Sequence, residues 1–121
     1  MRHIEIRLAD GVLVCNAEVA EGFFTRARGL LGRKSLPVDA GLLIQPCTSV
    51  HTFFMRFTID VLYLDRDDRV VKAVTLKPFR LSMGGKGTKR TLEMAQGSVA
   101  RAGIQRGVQL HLTQREGVST S

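Results

Sequence analysis

Tryptophan is absent from the 121-residue sequence, tyrosine occurs once, and six phenylalanines make up the rest of the aromatic complement. Cysteine is as scarce, with only Cys15 and Cys47. A chain of this length buries about two thirds of its unfolded surface without a covalent staple, so a disulfide is unnecessary. Cys15 follows the apolar run Val12, Leu13, Val14 and reads as a small buried hydrophobe. No apolar run approaches the roughly 20 residues that span a bilayer, so no membrane partner is expected. The opening residues Arg2, His3, Ile4, Glu5 and Ile6 alternate in character and lack the continuous apolar core of a secretory signal, which predicts a cytoplasmic location.

Acidic residues are missing from positions 69–92, whereas Arg69, Lys72, Lys77, Arg80, Lys86, Lys89 and Arg90 all fall there. That stretch matches the whole chain's net charge of +7. Such a field attracts anions of any kind, including phosphates, nucleic acids and acidic proteins, or else it is a solvated face that aids solubility. Recognisable catalytic signatures are also lacking. There is no Gly-x-Ser-x-Gly elbow, no His-Glu-x-x-His helix and no dinucleotide glycine pattern. The loop Gly84, Gly85, Lys86, Gly87, Thr88 fails as a phosphate loop, because Arg80 and Gly87 stand where glycine and Ser/Thr are required.

With 44% hydrophobic and 24% charged residues, the composition is that of a globular protein. Residues 2–8 alternate as a half-buried strand does, Asp10-Gly11 supplies a turn, and 12–19 returns as a second strand. Residues 23–31 place Phe23, Phe24, Ala27, Leu30 and Leu31 at helical spacing, and Gly32 can close that short helix. Short apolar runs at 42–44, 50–55 and 59–64 predict strands, and Asp65 to Asp68 form the turn into a strand at 70–76. Residues 77–87 read as a loop, 88–94 as a strand, 98–102 as one helical turn ending near Gly103, and 109–113 as a last strand. The expected architecture is mainly β: a compact antiparallel barrel-like or sandwich domain over residues 1–114, with one short N-terminal helix and one helical turn near the C-terminus. Residues 115–121 are expected to be a flexible tail. Phe23, Leu30, Leu43, Phe53, Val61, Leu64, Val71 and Leu92 are expected to share one core.

The segment His51, Thr52, Phe53, Phe54, Met55, Arg56, Phe57, followed by Ile59, Asp60, Val61, Leu62, Tyr63, Leu64 and Asp65, carries a recognisable pattern. Upstream stands Thr25 to Arg33, and downstream stand Val70-Val71, Leu92-Glu93, Gly97, Gly103-Ile104 and Gly107. Together these marks resemble the bacterial and archaeal family catalogued as domain of unknown function 192. The resemblance implies a compact, mostly β fold with a short N-terminal helix, and it implies no reaction. Thr58 stands where close relatives are expected to carry proline, and Phe54 where much of the family has tryptophan.

Cys47, His51 and Met55 are soft ligand types at intervals of four, but an extended segment separates Cys47 from Met55 by roughly 26 Å, so no metal and no cofactor are expected. His51 can serve acid–base work or be a hydrogen-bonded strand residue that orders a turn. Asp60, among apolar neighbours, calls for Arg56, a helix arginine or backbone N–H groups as partner; the alternative is a polar pocket shared with Glu93. The leading expectation is a binding module without catalysis, using His51, Thr52, Arg56 and Asp60 together with Lys86, Lys89 and Arg90 to hold an anionic ligand or protein partner. The rival is a small hydrolase or transferase built on His51, Asp60 and Glu93. A third is a weak nucleic-acid accessory protein, for which the basic stretch supplies a single aromatic, Phe79.

Overall fold

The computed structural model describes residues 2–21 and 33–115. The predicted helix at 23–31, with its core residues Phe23 and Leu30, lies outside the described residues. The opening alternation forms the hairpin β1 (Arg2–Arg7) and β2 (Leu13–Ala20), in which Ile4 and Ile6 stand opposite Ala17 and Cys15. Its turn uses the expected chemistry: Val12 N–H donates to Asp10 Oδ1 at 3.0 Å, and Gly11 takes φ 90°. The remaining elements are β3 (Ala40–Ile44), β4 (Ser49–His51), β5 (Ile59–Leu64), β6 (Val70–Leu76), β7 (Leu81–Met83), β8 (Arg90–Ala95), α1 (Ser98–Ala102) and β9 (His111–Gln114).

Seven strands form one sheet in the order β6-β5-β8-β3-β2-β1-β9, and β4 pairs with β7 as a separate two-stranded ribbon. The sheet is mainly antiparallel, as expected, but mixed, because β2 runs parallel to β3 with Val19 opposite Leu43. Parallel neighbours need a crossover of a dozen or more residues, and the long connection from Ala20 to Ala40 has that length. Among the described residues the strand ladder does not close into a barrel. An Arg69–Gln109 bridge and the Val70 N–H to Val108 carbonyl bond, 2.9 Å, nevertheless draw the two ends of the sheet together.

The single expected core is two. Ile6, Leu43, Leu62, Leu64, Leu92 and Met94 fill the concave face of the sheet, while Leu42, Ile44, Val50, Ile59, Val61 and Tyr63 pack on the other face, where the ribbon lies. Strand alternation dictates this division, since successive residues of one strand point to opposite faces. Val71 is only half-buried, and Phe53, expected inside, is exposed. Two further corrections concern the ribbon. The apolar run 50–55 is a strand only as far as His51, and the expected loop 77–87 contains β7.

Candidate functional surface

The ribbon is held to the sheet by its inner row and presents its outer row to solvent. In register, Val50 faces Ser82 and both are buried, whereas the flanking pairs Ser49–Met83 and His51–Leu81 are exposed. Just beyond His51, the fully buried Thr52 knots two loops together. Its hydroxyl donates to the Lys77 carbonyl at 2.6 Å and accepts from the Arg80 N–H at 2.9 Å, while its own N–H donates to the Arg80 carbonyl at 2.8 Å. The Phe79 N–H donates to the Thr52 carbonyl at 2.9 Å. Residues 52–55 and 77–80 are thereby fixed side by side.

This knot turns the chain so that its apolar side chains leave the core. Phe54 is 78% exposed and Phe79 59%, and both stand in left-handed backbone at φ 66° and 64°. A bulky residue in that region carries strain of order 1 kcal/mol or more, which the surrounding hydrogen bonds must sustain. The two rings meet edge to face at 5.9 Å, and His51 stacks on Phe53 at 5.1 Å. Leu81 and Met83 extend the patch, 68% and 65% exposed. Around it Arg56, Lys77 and Arg80 are exposed, and Lys72 Nζ donates to the Met83 carbonyl at 2.9 Å. Positions 40–59 contain no acidic residue, and neither do 69–92. The fold brings the acid-free stretches together.

The other predicted residues are placed as follows. Asp60 is buried on the concave face, where its carboxylate accepts from the Thr75 hydroxyl at 2.8 Å and from the N–H groups of Gly97 and Val99 at 3.1 and 3.0 Å. It therefore caps α1 from across the sheet, and Arg56 is not among its partners. Glu93 stands opposite Leu42 and Val61, whereas Asp60 stands opposite Met94, so the two carboxylates project from opposite faces. Burial pushes the Glu93 carboxyl up to about 7, against the opposing pull of Arg33. Lys86 and Lys89 are exposed on the connection into β8. Arg90 Nη1 binds Asp68 Oδ1 at 2.6 Å; burial pushes the Asp68 carboxyl up despite that guanidinium. Among the described residues no three His, Cys, Asp or Glu side chains gather as metal ligands. Cys15 is buried and free, with its thiol pushed up to about 12 by burial, and Cys47 is also free.

Sequence reasoning marked His51, Thr52 and Arg56 but assigned Phe53 to the core and passed over Leu81 and Met83. The available signal was two acid-free stretches, one with three phenylalanines around Arg56 and the other with Phe79 beside Arg80.

These features define a small, mainly β protein with an open mixed sheet, a packed ribbon and a basic, aromatic outer surface. The chain belongs to the DUF192 family, described as uncharacterized ACR, which it matches over residues 5–112. It is 43% identical to a UPF0127 protein of Pyrococcus horikoshii over 68 residues, 52% of this chain and 57% of that relative. A UPF0127 protein of Pyrococcus furiosus is 31% identical over 114 residues, covering 88% of this chain and 85% of that one. Among solved structures, a candidate transcription regulator from Sinorhizobium meliloti superposes with a TM-score of 0.80 at 20% identity, covering 92% of both chains. A protein of unknown function from Novosphingobium aromaticivorans superposes with a TM-score of 0.76 at 20% identity, covering 90% of this chain and 83% of that one. The two structures share the fold. No helix among the described residues is long and apolar enough to cross a membrane.

Proposed function

We propose that the protein is a binding module without catalytic activity, and that the ribbon and its two tip loops take up an anionic macromolecular partner. The observation carrying this reading is the exposed Phe54–Phe79 pair, held on left-handed backbone among Arg56, Lys77 and Arg80. Strained backbone concentrates where function requires a fixed geometry, and contiguous exposed apolar surface ringed by charge is the usual mark of an interaction site. The rings supply contact area, and the cations supply steering and complementarity. The opposite orientations of Asp60 and Glu93 weigh against a hydrolase that would use them as a pair.

The test is fluorescence titration with three labelled polyanions: a single-stranded oligonucleotide, a duplex and an acidic peptide containing aromatic residues. Acidic peptide is expected to bind most tightly, oligonucleotides weakly and without sequence preference. Replacing Phe54, Phe79 and Arg80 together by alanine should abolish the binding while the thermal midpoint stays within a few degrees. Equal binding by the variant, or no binding of any polyanion at low salt, would sink the reading.

A further inference from the structure

The concave face of the seven-stranded sheet has two ends, and they differ in chemistry. At one end α1 closes it: Val99 and Ala102 pack against the core there, and Asp60 holds the N–H groups of Gly97 and Val99. The other end opens into a cleft of about 460 Å³. There the core-facing row of each strand changes from apolar to polar. Register places Arg2 opposite Val19, Gln114 opposite Ile4 and Arg90 opposite Leu64, while Gln45 occupies the next same-face position after Leu43. Strands β1, β8 and β9 thus carry a long polar side chain at the mouth end of their inward rows, as does the residue just beyond β3. Asp68 joins them in the lining.

Polar residues at strand ends ordinarily occupy outward positions; these sit on the inward parity, above aliphatic side chains such as Leu43 and Leu112. Polar side chains dominate the accessible lining, over aliphatic residues that are largely covered, which suits a hydroxylated and charged ligand. The volume falls within the roughly 300–1,000 Å³ of small-molecule sites, and the mouth of a curled sheet is a favoured place for one. Within the lining two guanidiniums face one carboxylate. Asp68 fixes Arg90 at 2.6 Å, whereas Arg2 rests on the half-exposed Glu21 at 3.3 Å, outside the lining, a partner that solvent or ligand can replace. Glu21 also accepts from the Gln45 amide at 3.1 Å, which orients that side chain.

We infer that this cleft binds a small hydroxylated organic anion of sugar-acid size. Arg2 and Arg90 take its carboxylate through charge-assisted bonds, and the carboxamides of Gln45 and Gln114 take its hydroxyls. The site is separate from the ribbon and does not depend on the reading given for it.

The experiment follows backbone amide chemical shifts of the full chain during titration with glucuronate, with glucose as the neutral counterpart. Saturable shifts at Arg2, Gln45, Arg90 and Gln114 are expected, with residues 51–56 and 77–83 unmoved. Affinity should fall about tenfold for Arg2→Gln, which removes one charge-assisted contact, and about a hundredfold for glucose, which removes both. Gln114→Ala, which leaves the Arg90–Asp68 pair intact, should weaken binding severalfold. The inference is overturned by absence of saturable shifts with glucuronate, by equal affinity for glucose, by unchanged affinity in both variants, or by shifts confined to the ribbon.

Discussion

Asp60 and Glu93 are two buried carboxylates of one sheet with opposite circumstances. Asp60 has partners: the Thr75 hydroxyl and two N–H groups at the start of α1. Asp60→Ala removes at once all three bonds to a charged acceptor, so it should cost roughly 2–4 kcal/mol in denaturant unfolding. A loss under about 0.5 kcal/mol would show that the cap is not holding the helix. For Glu93 the surroundings are Leu42 and Val61 in register, and burial raises its carboxyl from 4.5 to about 7. Its ionised form is therefore disfavoured in the folded chain relative to the unfolded one. The resulting penalty is absent below pH 4.5, grows as pH rises towards 7, and is complete above that, at about 3 kcal/mol. Glu93→Gln should accordingly be more stable than the parent at pH 8, with the advantage disappearing near pH 4. Parallel stability profiles of the two proteins across that range would refute this origin.

At the level of elements, the hairpins and the helical turn were legible because their signals are local: Asp10-Gly11 between alternating runs, Asp65 accepting from Asp67 and Arg69 N–H groups, and Gly103 at φ 67° after α1. The ribbon was not. β4 and β7 are three residues each, too short for periodicity, and their pairing depends on Thr52 bonding to residues 25 and 28 positions away. Phe53 reads as core on composition, yet the turn at Phe54 carries it outward. The parallel β2–β3 pairing is likewise a long-range choice that no local signal announces. Gly84 marks where the ribbon lies on the sheet: a Cβ there would stand 2.6 Å from the Tyr63 ring. Gly84→Ala should therefore lift the ribbon, costing roughly 1–3 kcal/mol and increasing amide exchange at residues 49–51 and 81–83. Unaltered exchange in those strands would contradict that packing.

Across the whole molecule, charge and shape were legible to different degrees. The surplus of cations in 69–92 was plain in the sequence, but the fold divides them. Lys77 and Arg80 join Arg56 beside the exposed rings, Lys86 and Lys89 stand on the connection into β8, and Arg90 turns to the concave face. The predicted set of site residues is divided in the same way, with Asp60 withdrawn into structural work. What remains coherent is the tip of the ribbon, where rings and cations occupy one surface. Its most direct test is the salt dependence of polyanion affinity in three proteins: the parent, Phe54→Ala/Phe79→Ala and Lys77→Ala/Arg80→Ala. Rings and cations acting on one ligand predict that the aromatic variant binds more weakly at every salt concentration with an unchanged log–log slope, and that the charge variant has a flatter slope. Identical affinities and slopes for all three proteins would contradict the account.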